Sequence, residues 1–314
     1  MAAYREATPD QAELLDALVA AGHLIPSGVP GVYGRGSDFE KVRLGLDGHV
    51  TRVATAAGET PETLRFPPVL PRRQLEDLGY LESFPHLAGT VFAFEGTEAQ
   101  ARAQAERAGG HEDWTEHQCM TDLVLMPAVC YPVYPAVARR GTLPAGGVTI
   151  DPGGSYAFRH EPSGDPARLQ MFHMRELVRI AEPETVQAWR DGWRDRALEL
   201  LRGLGLDADF DVASDPFFGR SGRMMAASQR EQALKFEILV QIAGPEPTAV
   251  ASFNYHQDHF SGLYGITTAD GQPAHTACLG FGHERIVIAL LKTHGLDVST
   301  WPPEVCDALW GVAA

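Results

Sequence analysis

The chain has 314 residues, 41 of them acidic and 26 basic, which gives a net charge of −15 at pH 7. That length can hold one large domain with an appended subdomain or two ordinary domains, and it can bury a core. The acidic balance argues against a protein that wraps nucleic acid, because neutralising phosphates requires clustered lysine and arginine. A membrane span is not expected, because the longest apolar stretch, residues 123–138, contains three prolines and is shorter than the roughly 20 residues that a bilayer requires.

The N-terminus and the cysteines indicate the compartment. Acidic residues, among them Glu6 and Asp10, occupy the start of the chain, where a secretory signal would have a basic segment and an apolar block. We therefore expect a cytoplasmic location. The four cysteines, at positions 119, 130, 278 and 306, are not closely paired, so we expect reduced thiols that are free to bind a metal rather than a disulfide framework.

The predicted elements begin with an amphipathic helix over residues 8–22, and residues 1–62 are predicted to form a small N-terminal α/β subdomain. Residues 63–314 form the larger unit, for which the pattern predicts a mostly antiparallel sheet flanked by helices. Such an α+β arrangement argues against a Rossmann-type nucleotide domain. The predicted strands lie near residues 90–95, 121–130, 148–160, 169–180, 235–244 and 248–255, and the helices near 96–109, 184–203 and 283–294.

One predicted helix, within residues 183–204, gathers several arginines. Its apolar residues recur at helical spacing, and arginines at positions 190, 194, 196 and 202 lie on other faces. Two interpretations stay open. The arginines form a solvated face paired with neighbouring carboxylates, or they form a docking patch for a small acidic partner.

A pair of charged stretches indicates a nucleotide site. In the first, a strand-like run ends at Arg159-His160-Glu161, a loop with proline and glycine follows, and the chain returns through Phe172. This pattern fits a loop that clamps a nucleotide, with Phe172 stacked on the base. Taken alone, Phe172 is more often expected to be a buried core residue, because aromatic side chains are usually buried.

In the second stretch, Gly280-Phe281-Gly282-His283-Glu284-Arg285 leads directly into an apolar helix. The free N–H groups of a helix N-terminus and the donor fork of Arg285 together suit a phosphate. The alternative is a structural ion pair between Arg285 and Glu284.

Taken together, the two stretches resemble motifs 2 and 3 of class II aminoacyl-tRNA synthetases. More narrowly, the chain resembles the amino acid:carrier protein ligases, which are truncated relatives of the atypical, zinc-containing seryl-tRNA synthetases of methanogens. This resemblance implies a class II synthetase-like antiparallel sheet, and a homodimer formed through about residues 111–130, where only Pro127 is recognisable. It runs from about residue 63 to the C-terminus and rests on residues 65–68, 79–85, 126–132, 171–179, 234–237 and 277–290.

The resemblance also implies a metal. Cys130, Glu176 and Cys278 match the Cys-Glu-Cys zinc triad of the family, although their spacing alone would not suggest zinc. Three protein ligands leave a position for the amino group of a substrate. The alternative is two buried thiols beside an ion-paired glutamate. For His256 and His259 we favour ordinary polar lining over metal binding.

The implied reaction begins with ATP and Mg²⁺, and it converts an amino acid to an aminoacyl-adenylate. Arg159 and Arg285 would be the catalytic residues, on the α- and γ-phosphates respectively. The remaining ATP-binding residues would be Glu161, Phe172 and Glu237. The residues expected at the substrate end are Glu176, Lys235, Ser252 and Asn254.

The implied acceptor is the phosphopantetheine thiol of an acidic carrier protein. No tRNA is expected, because the long basic arm of seryl-tRNA synthetases is missing. Crowding by Met174 and Phe253 would favour glycine or alanine as the substrate. Two alternatives remain: a seryl-tRNA synthetase in the strict sense, and a non-catalytic paralogue that senses an amino acid or a nucleotide.

Overall fold

The computed structural model describes residues 4–311. The helices are α1 (Pro9–Ala20), α2 (Ser37–Ala56), α3 (Arg72–Asp77), α4 (Tyr80–Ser83), α5 (Glu98–Gly109), α6 (Val133–Ala138), α7 (Pro183–Gly203), α8 (Gly219–Glu231), α9 (His259–Tyr264), α10 (His283–His294) and α11 (Pro303–Trp310). The strands are β1 (Leu24–Pro26), β2 (Tyr33–Arg35), β3 (Glu62–Thr63), β4 (Val69–Pro71), β5 (Thr90–Phe94), β6 (Gln118–Leu125), β7 (Val148–Phe158), β8 (Met171–Ala181), β9 (Ala208–Val212), β10 (Lys235–Val240), β11 (Thr248–Gln257) and β12 (His275–Gly282).

A seven-stranded sheet forms the centre of the fold, in the order β3-β7-β8-β12-β11-β10-β9. Every pairing in it is antiparallel except that of the two-residue strand β3 with β7. With helices packed against it, this sheet confirms the predicted α+β class.

The prediction of one continuous sheet is wrong for two strands. β5 and β6 pair with β4 in a separate three-stranded sheet. The strand predicted over 121–130 also ends at Leu125, and Pro127, which follows, has no N–H to donate to a ladder. Strand β12, the middle strand of the main sheet, was not predicted. It is buried along most of its length and therefore lacks the alternation that marks a half-exposed strand.

A hydrophobic core covers one face of the main sheet. On that face Leu177, Phe253 and Leu279 pack with Trp193 of α7, and the same core includes the apolar side of α10. The predicted crowding of the site by Phe253 is wrong, because this ring is fully buried in the core. Side chains alternate across a strand, so the neighbours of these residues point to the opposite face.

Helix α2, which lies in the predicted N-terminal subdomain, belongs to the same core. Its buried residues Phe39, Val42 and Leu46 cluster with those of α10 and α11. The division of the chain at residue 62 stays a prediction. Among residues 4–311, none of the helices combines the length and the apolar character that crossing a membrane takes.

Candidate active site

The strand register places most of the predicted site residues on one face of the main sheet. One row across the sheet pairs Glu237 with Ser252, Ser252 with Gly280, and Gly280 with Glu176. The adjacent row pairs Lys235 with Asn254 and Asn254 with Cys278. Residues that are paired directly across strands share a face, so these side chains all point away from the core.

Two cavities that share lining residues lie over this face. The smaller, of about 80 Å³, is lined by Phe172, Glu237 and Arg285 among others. The larger, of about 320 Å³, is lined by Cys130, Glu176, Asn254 and Cys278 among others. The residues common to both are Arg159, Met174, Lys235, Ser252 and Gly280. Ten of the eleven predicted site residues therefore line one cavity or the other.

The exception is Glu161, which does not line either cavity. Its carboxylate lies 3.4 Å from Arg168 Nη1 in the loop that follows. Arg159, by contrast, lies at the junction of the cavities, with its guanidinium carbon 5.8 Å from the ring centre of Phe172. Phe172 is half-buried and lines the smaller cavity, so the core interpretation of this ring is wrong.

Cys130, Glu176 and Cys278 converge, as the resemblance implied. All three are buried, and their potential ligand atoms lie within 4.8 Å of one another. Glu176 Oε1 accepts a hydrogen bond from the Val129 N–H at 2.9 Å. Its other oxygen, Oε2, is buried and has no hydrogen-bond partner within residues 4–311. Buried polar atoms are rarely left unpaired, so this set of two thiols and a carboxylate fits a metal ion such as zinc.

Burial and the contacts within the cluster both shift the pKa values of its members. The pKa of Glu176 rises to about 8, chiefly because burial disfavours the carboxylate and also because Cys278 is nearby. The hydrogen bond between the two thiols raises the pKa of Cys130 and lowers that of Cys278. Asn254 Nδ2 and His256 Nε2 both lie 3.5 Å from Cys278 Sγ, which further favours a thiolate there. His256 thus contacts Cys278 and lines the larger cavity.

Lys235 lies between two carboxylates at the junction of the cavities. Its Nζ is 2.7 Å from Asp215 Oδ1 and 2.9 Å from Glu237 Oε1. Burial opposes the charge on Lys235, but the two carboxylates outweigh it and raise the pKa of this lysine. Burial likewise opposes ionisation of Asp215, yet the attraction of Lys235 keeps the pKa of Asp215 below its ordinary value. The lysine is therefore a fixed positive charge.

Arg285 does not pair with Glu284, so that alternative is wrong. Its Nε donates to the carbonyl of Ala167, and its Nη1 donates to the carbonyl of Ala249, both at 2.8 Å. Glu284 is instead bound by Arg35 Nη2 at 2.5 Å and accepts a hydrogen bond from the His173 N–H. Burial lowers the pKa of Arg285 to about 10, so this residue remains a cation at neutral pH.

Two known proteins are similar to the chain over most of its length. Amino acid–[acyl-carrier-protein] ligase 2 of Bradyrhizobium diazoefficiens is 47% identical over 309 residues, which cover 97% of this chain and 90% of that protein. Ligase 1 of the same organism is 47% identical over 306 residues, covering 97% and 92%. The chain belongs to this ligase family. No family model matches the chain.

More distant relatives share the fold. The type-2 serine–tRNA ligase of Methanopyrus kandleri is 26% identical over 206 residues, which cover 59% of this chain and 37% of that enzyme. A crystal structure of the M. kandleri enzyme with an A. aeolicus tRNA superposes with a TM-score of 0.79 at 21% identity, covering 94% of this chain and 59% of the other. The seryl-tRNA synthetase of Pyrococcus horikoshii complexed with ATP gives 0.64 at 17%, covering 90% and 58%. The class II synthetase-like fold is thus confirmed.

The arginines of α7 are paired within the ligase. Arg190 and Arg194 bind Asp191 and Asp195, and Arg196 binds Glu59. The helix also packs on the face of the sheet that lies opposite Glu176 and Cys278. These contacts favour the interpretation of the α7 arginines as an internally paired face.

Sequence reasoning missed the helix at the rim of the larger cavity. Met225 and Gln229 of α8 line that cavity together with Asp215 and Phe217 from the preceding segment. The signal was present, because the run Arg220 to Arg230 combines three arginines with two methionines at helical spacing. Asp215 carried no comparable signal. Its partner Lys235 is 20 residues away along the chain, and only the fold brings the two together.

Proposed function

We propose that the chain uses ATP to activate a small amino acid as an aminoacyl-adenylate, and then transfers the aminoacyl group to the phosphopantetheine thiol of a carrier protein. The observation that carries this proposal is the junction of the two cavities. The smaller cavity contains Arg285 and the larger contains the candidate metal ligands, and the two cavities share Arg159, Lys235 and Ser252. Membership of the ligase family supports the same reaction.

ATP would occupy the smaller cavity. Phe172 offers a ring face to adenine, and Arg285, held by two backbone carbonyls, presents its charge to the terminal phosphate. Arg159, at the junction, would neutralise the α-phosphate. Mg²⁺, held beside Glu237, would neutralise the departing pyrophosphate. The contact of Glu161 with the adenine edge stays a prediction.

The amino acid would occupy the junction end of the larger cavity. A zinc ion held by Cys130, Glu176 and Cys278 would supply a Lewis-acidic position for the α-amino group. Asn254 and Ser252 lie next to this set and would orient the rest of the substrate. Lys235 would attract the carboxylate toward the α-phosphate.

The two chemical steps follow from these positions. In the first, a carboxylate oxygen of the amino acid bonds to the α-phosphorus, and the bond from that phosphorus to pyrophosphate breaks. Arg159 and Lys235 would stabilise the added negative charge. In the second step, the sulfur of the arm bonds to the carbonyl carbon, the bond from that carbon to AMP breaks, and the thiol proton is released. The product is a thioester.

The larger cavity can admit the arm of a carrier. Its volume of about 320 Å³ exceeds what a small amino acid needs. Its walls include the aromatic rings of Tyr80, Phe84, Tyr131 and Phe217. Met174 lines the junction, and its side chain is the feature on which we propose glycine or alanine as the substrate.

Helix α8 is the surface we propose for the carrier. Met225, at the rim, is exposed, as is Met224 beside it. Arg220 and Arg223 are exposed and form no ion pair with any residue of the described range 4–311. On a chain with a net charge of −15, such a cationic, methionine-rich helix suits an acidic helical partner.

A homodimer is a further part of the proposal. Phe92 and Met120 are exposed and are paired directly across β5 and β6, and Met120 lies within the region expected at the interface. Light scattering would show whether two chains associate. A cytoplasmic location stays a prediction from the sequence.

The test is amino-acid-dependent exchange of pyrophosphate into ATP, measured with each of the twenty amino acids. Exchange with glycine or alanine is the expected result. Mass spectrometry of a pantetheinylated carrier protein, with a carrier lacking the arm as the control, then tests the thioester. Charging of tRNA instead would indicate a strict seryl-tRNA synthetase, and no exchange with any amino acid would leave the sensor hypothesis.

A further inference from the structure

Two N-terminal segments, one around Arg5 and one around Gly31, contact the loop of residues 159–170. We call it the nucleotide loop because it begins with Arg159, which we propose to bind the α-phosphate of ATP. At the loop tip, Arg5 forms a parallel bridge with Ser163. The Arg5 N–H donates to the carbonyl of Pro162 at 3.1 Å, and the Gly164 N–H donates to the carbonyl of Arg5 at 2.9 Å. Arg5 and Ser163, which are far apart in the sequence, are thus paired as in a parallel β-sheet.

The second contact lies at the end of the loop. The Gln170 N–H donates to the carbonyl of Gly31 at 2.7 Å, and Gln170 Nε2 donates to the carbonyl of Pro30 at 2.8 Å. The Gln170 carbonyl in turn accepts a hydrogen bond from the Arg159 N–H at 2.9 Å. Gln170 is buried, and its hydrogen bonds connect the N-terminal segment with the backbone of Arg159.

The third contact reaches the other side of the ATP cavity. Arg35 is almost fully buried, and it binds Glu284 at 2.5 Å and the hydroxyl of Tyr156 at 3.0 Å. Glu284 also accepts a hydrogen bond from the N–H of His173, which follows Phe172. The side of the cavity that carries Phe172 is therefore connected to strand β2 through Arg35. The segment between β1 and β2 also contacts the nucleotide loop.

We infer that residues 4–7 and 30–35 form an N-terminal clamp that holds the nucleotide loop in its ATP-binding position. Gln170 and Arg35 are positioning residues, since neither lines the cavities. Ala167, in the same loop, supplies the carbonyl that holds Arg285. The clamp thus positions both arginines of the ATP site before ATP binds. This inference rests on the proposed function, in which that cavity receives ATP.

A matched pair of glycines allows a direct test. Gly31 has a φ of +76° and Gly28 a φ of +87°, so alanine strains the backbone at both positions. A Cβ on Gly31 would lie 3.2 Å from Gln170 Cγ and 3.3 Å from the Gln170 nitrogen, whereas a Cβ on Gly28 would meet nothing within 4 Å. Both Gly31→Ala and its control Gly28→Ala strain the backbone. Only Gly31→Ala also displaces Gln170 and so disturbs the clamp.

For Gly31→Ala we expect the KM for ATP in pyrophosphate exchange to rise about fivefold or more, with the KM for the amino acid within about twofold of the wild-type value. Amides of residues 161–170 should also exchange hydrogen faster, and Gly28→Ala should change neither quantity. An equal rise in both variants, or no rise in either, would overturn the clamp. If the wild-type protein shows no exchange, the proposed function has failed. Loop hydrogen exchange and calorimetric ATP binding of the two variants then decide the clamp separately.

Discussion

Asp215 forms an ion pair of 2.7 Å with the buried Lys235 at the point where the two cavities meet. Gln229 of α8 holds the carboxylate from the other side, because its Nε2 donates to Asp215 Oδ2 at 2.9 Å and its Oε1 accepts from the Asp215 N–H at 2.7 Å. The helix we propose for the carrier and the lysine we propose for the chemistry are therefore joined through one aspartate.

Replacing that aspartate should impair adenylation. In Asp215→Asn, Lys235 loses one of the two carboxylates that raise its pKa and fix its position. Charge-assisted hydrogen bonds contribute about 1.5–3 kcal/mol, so kcat/KM for pyrophosphate exchange should fall about 10- to 100-fold. Gln229→Ala, which leaves the ion pair intact, should have a smaller effect. A kcat/KM for Asp215→Asn within twofold of the wild-type value would contradict the role given to this pair.

Zinc content is the most direct test of the ligand cluster. The purified protein should contain about one zinc per chain, and Glu176→Gln or Cys278→Ala should lower that content severely, because three protein ligands become two. Cys119→Ala is the control, since Cys119 is an exposed thiol outside the cluster. Elemental analysis by mass spectrometry measures the content. Wild-type protein without zinc, or an equal loss in Cys119→Ala, would reject the site.

Gly280 keeps open the space between Glu176 and Ser252. A Cβ at this position would lie 3.1 Å from Met174 Cε and 3.5 Å from Glu176 Cγ. Gly280→Ala should therefore raise the KM for the amino acid about tenfold, with a smaller change for ATP. Gly262→Ala is the control, because a Cβ there meets nothing within 4 Å. An unchanged KM would show that the amino acid does not bind beside Gly280.

Most of the residues predicted for the site line one of the two cavities, although not every strand that carries them was predicted. Pairs spaced two apart, such as Lys235 with Glu237 and Ser252 with Asn254, are what a strand needs to present two side chains on one face. The strand that carries Cys278 and Gly280 was missed, because burial on both faces removes the alternation that identifies a strand.

Contacts between residues far apart in the chain could not be predicted from the sequence, for a different reason. Neither the pairing of Arg35 with Glu284 nor that of Asp215 with Lys235 leaves a local pattern, because each joins segments that only the tertiary fold brings together. Helix α10 was predicted with its exact bounds, since an amphipathic helix with a glycine at each end is a local signal. Its head residue Glu284 was nevertheless given the wrong candidate partner.

Carrier docking on α8 should be separable from adenylation. The double variant Arg220→Glu/Arg223→Glu reverses two exposed charges on α8 without altering any residue that lines the larger cavity. We expect thioester formation on an acidic carrier to slow about tenfold or more, with pyrophosphate exchange unchanged, because charge reversal at an interface acts mainly on association. Raising the salt concentration should reduce the difference between variant and wild type.

Arg202→Glu on α7 is the matched control, because Arg202 is also exposed and lies 3.8 Å from its own partner Asp209. This variant should transfer the aminoacyl group at the wild-type rate. If Arg202→Glu slows transfer while the α8 variant does not, the docking surface is α7, as one interpretation of its arginines held. Equal slowing of exchange and transfer in the α8 variant would show that the helix supports the ATP site rather than the carrier, since docking is required only for the second step.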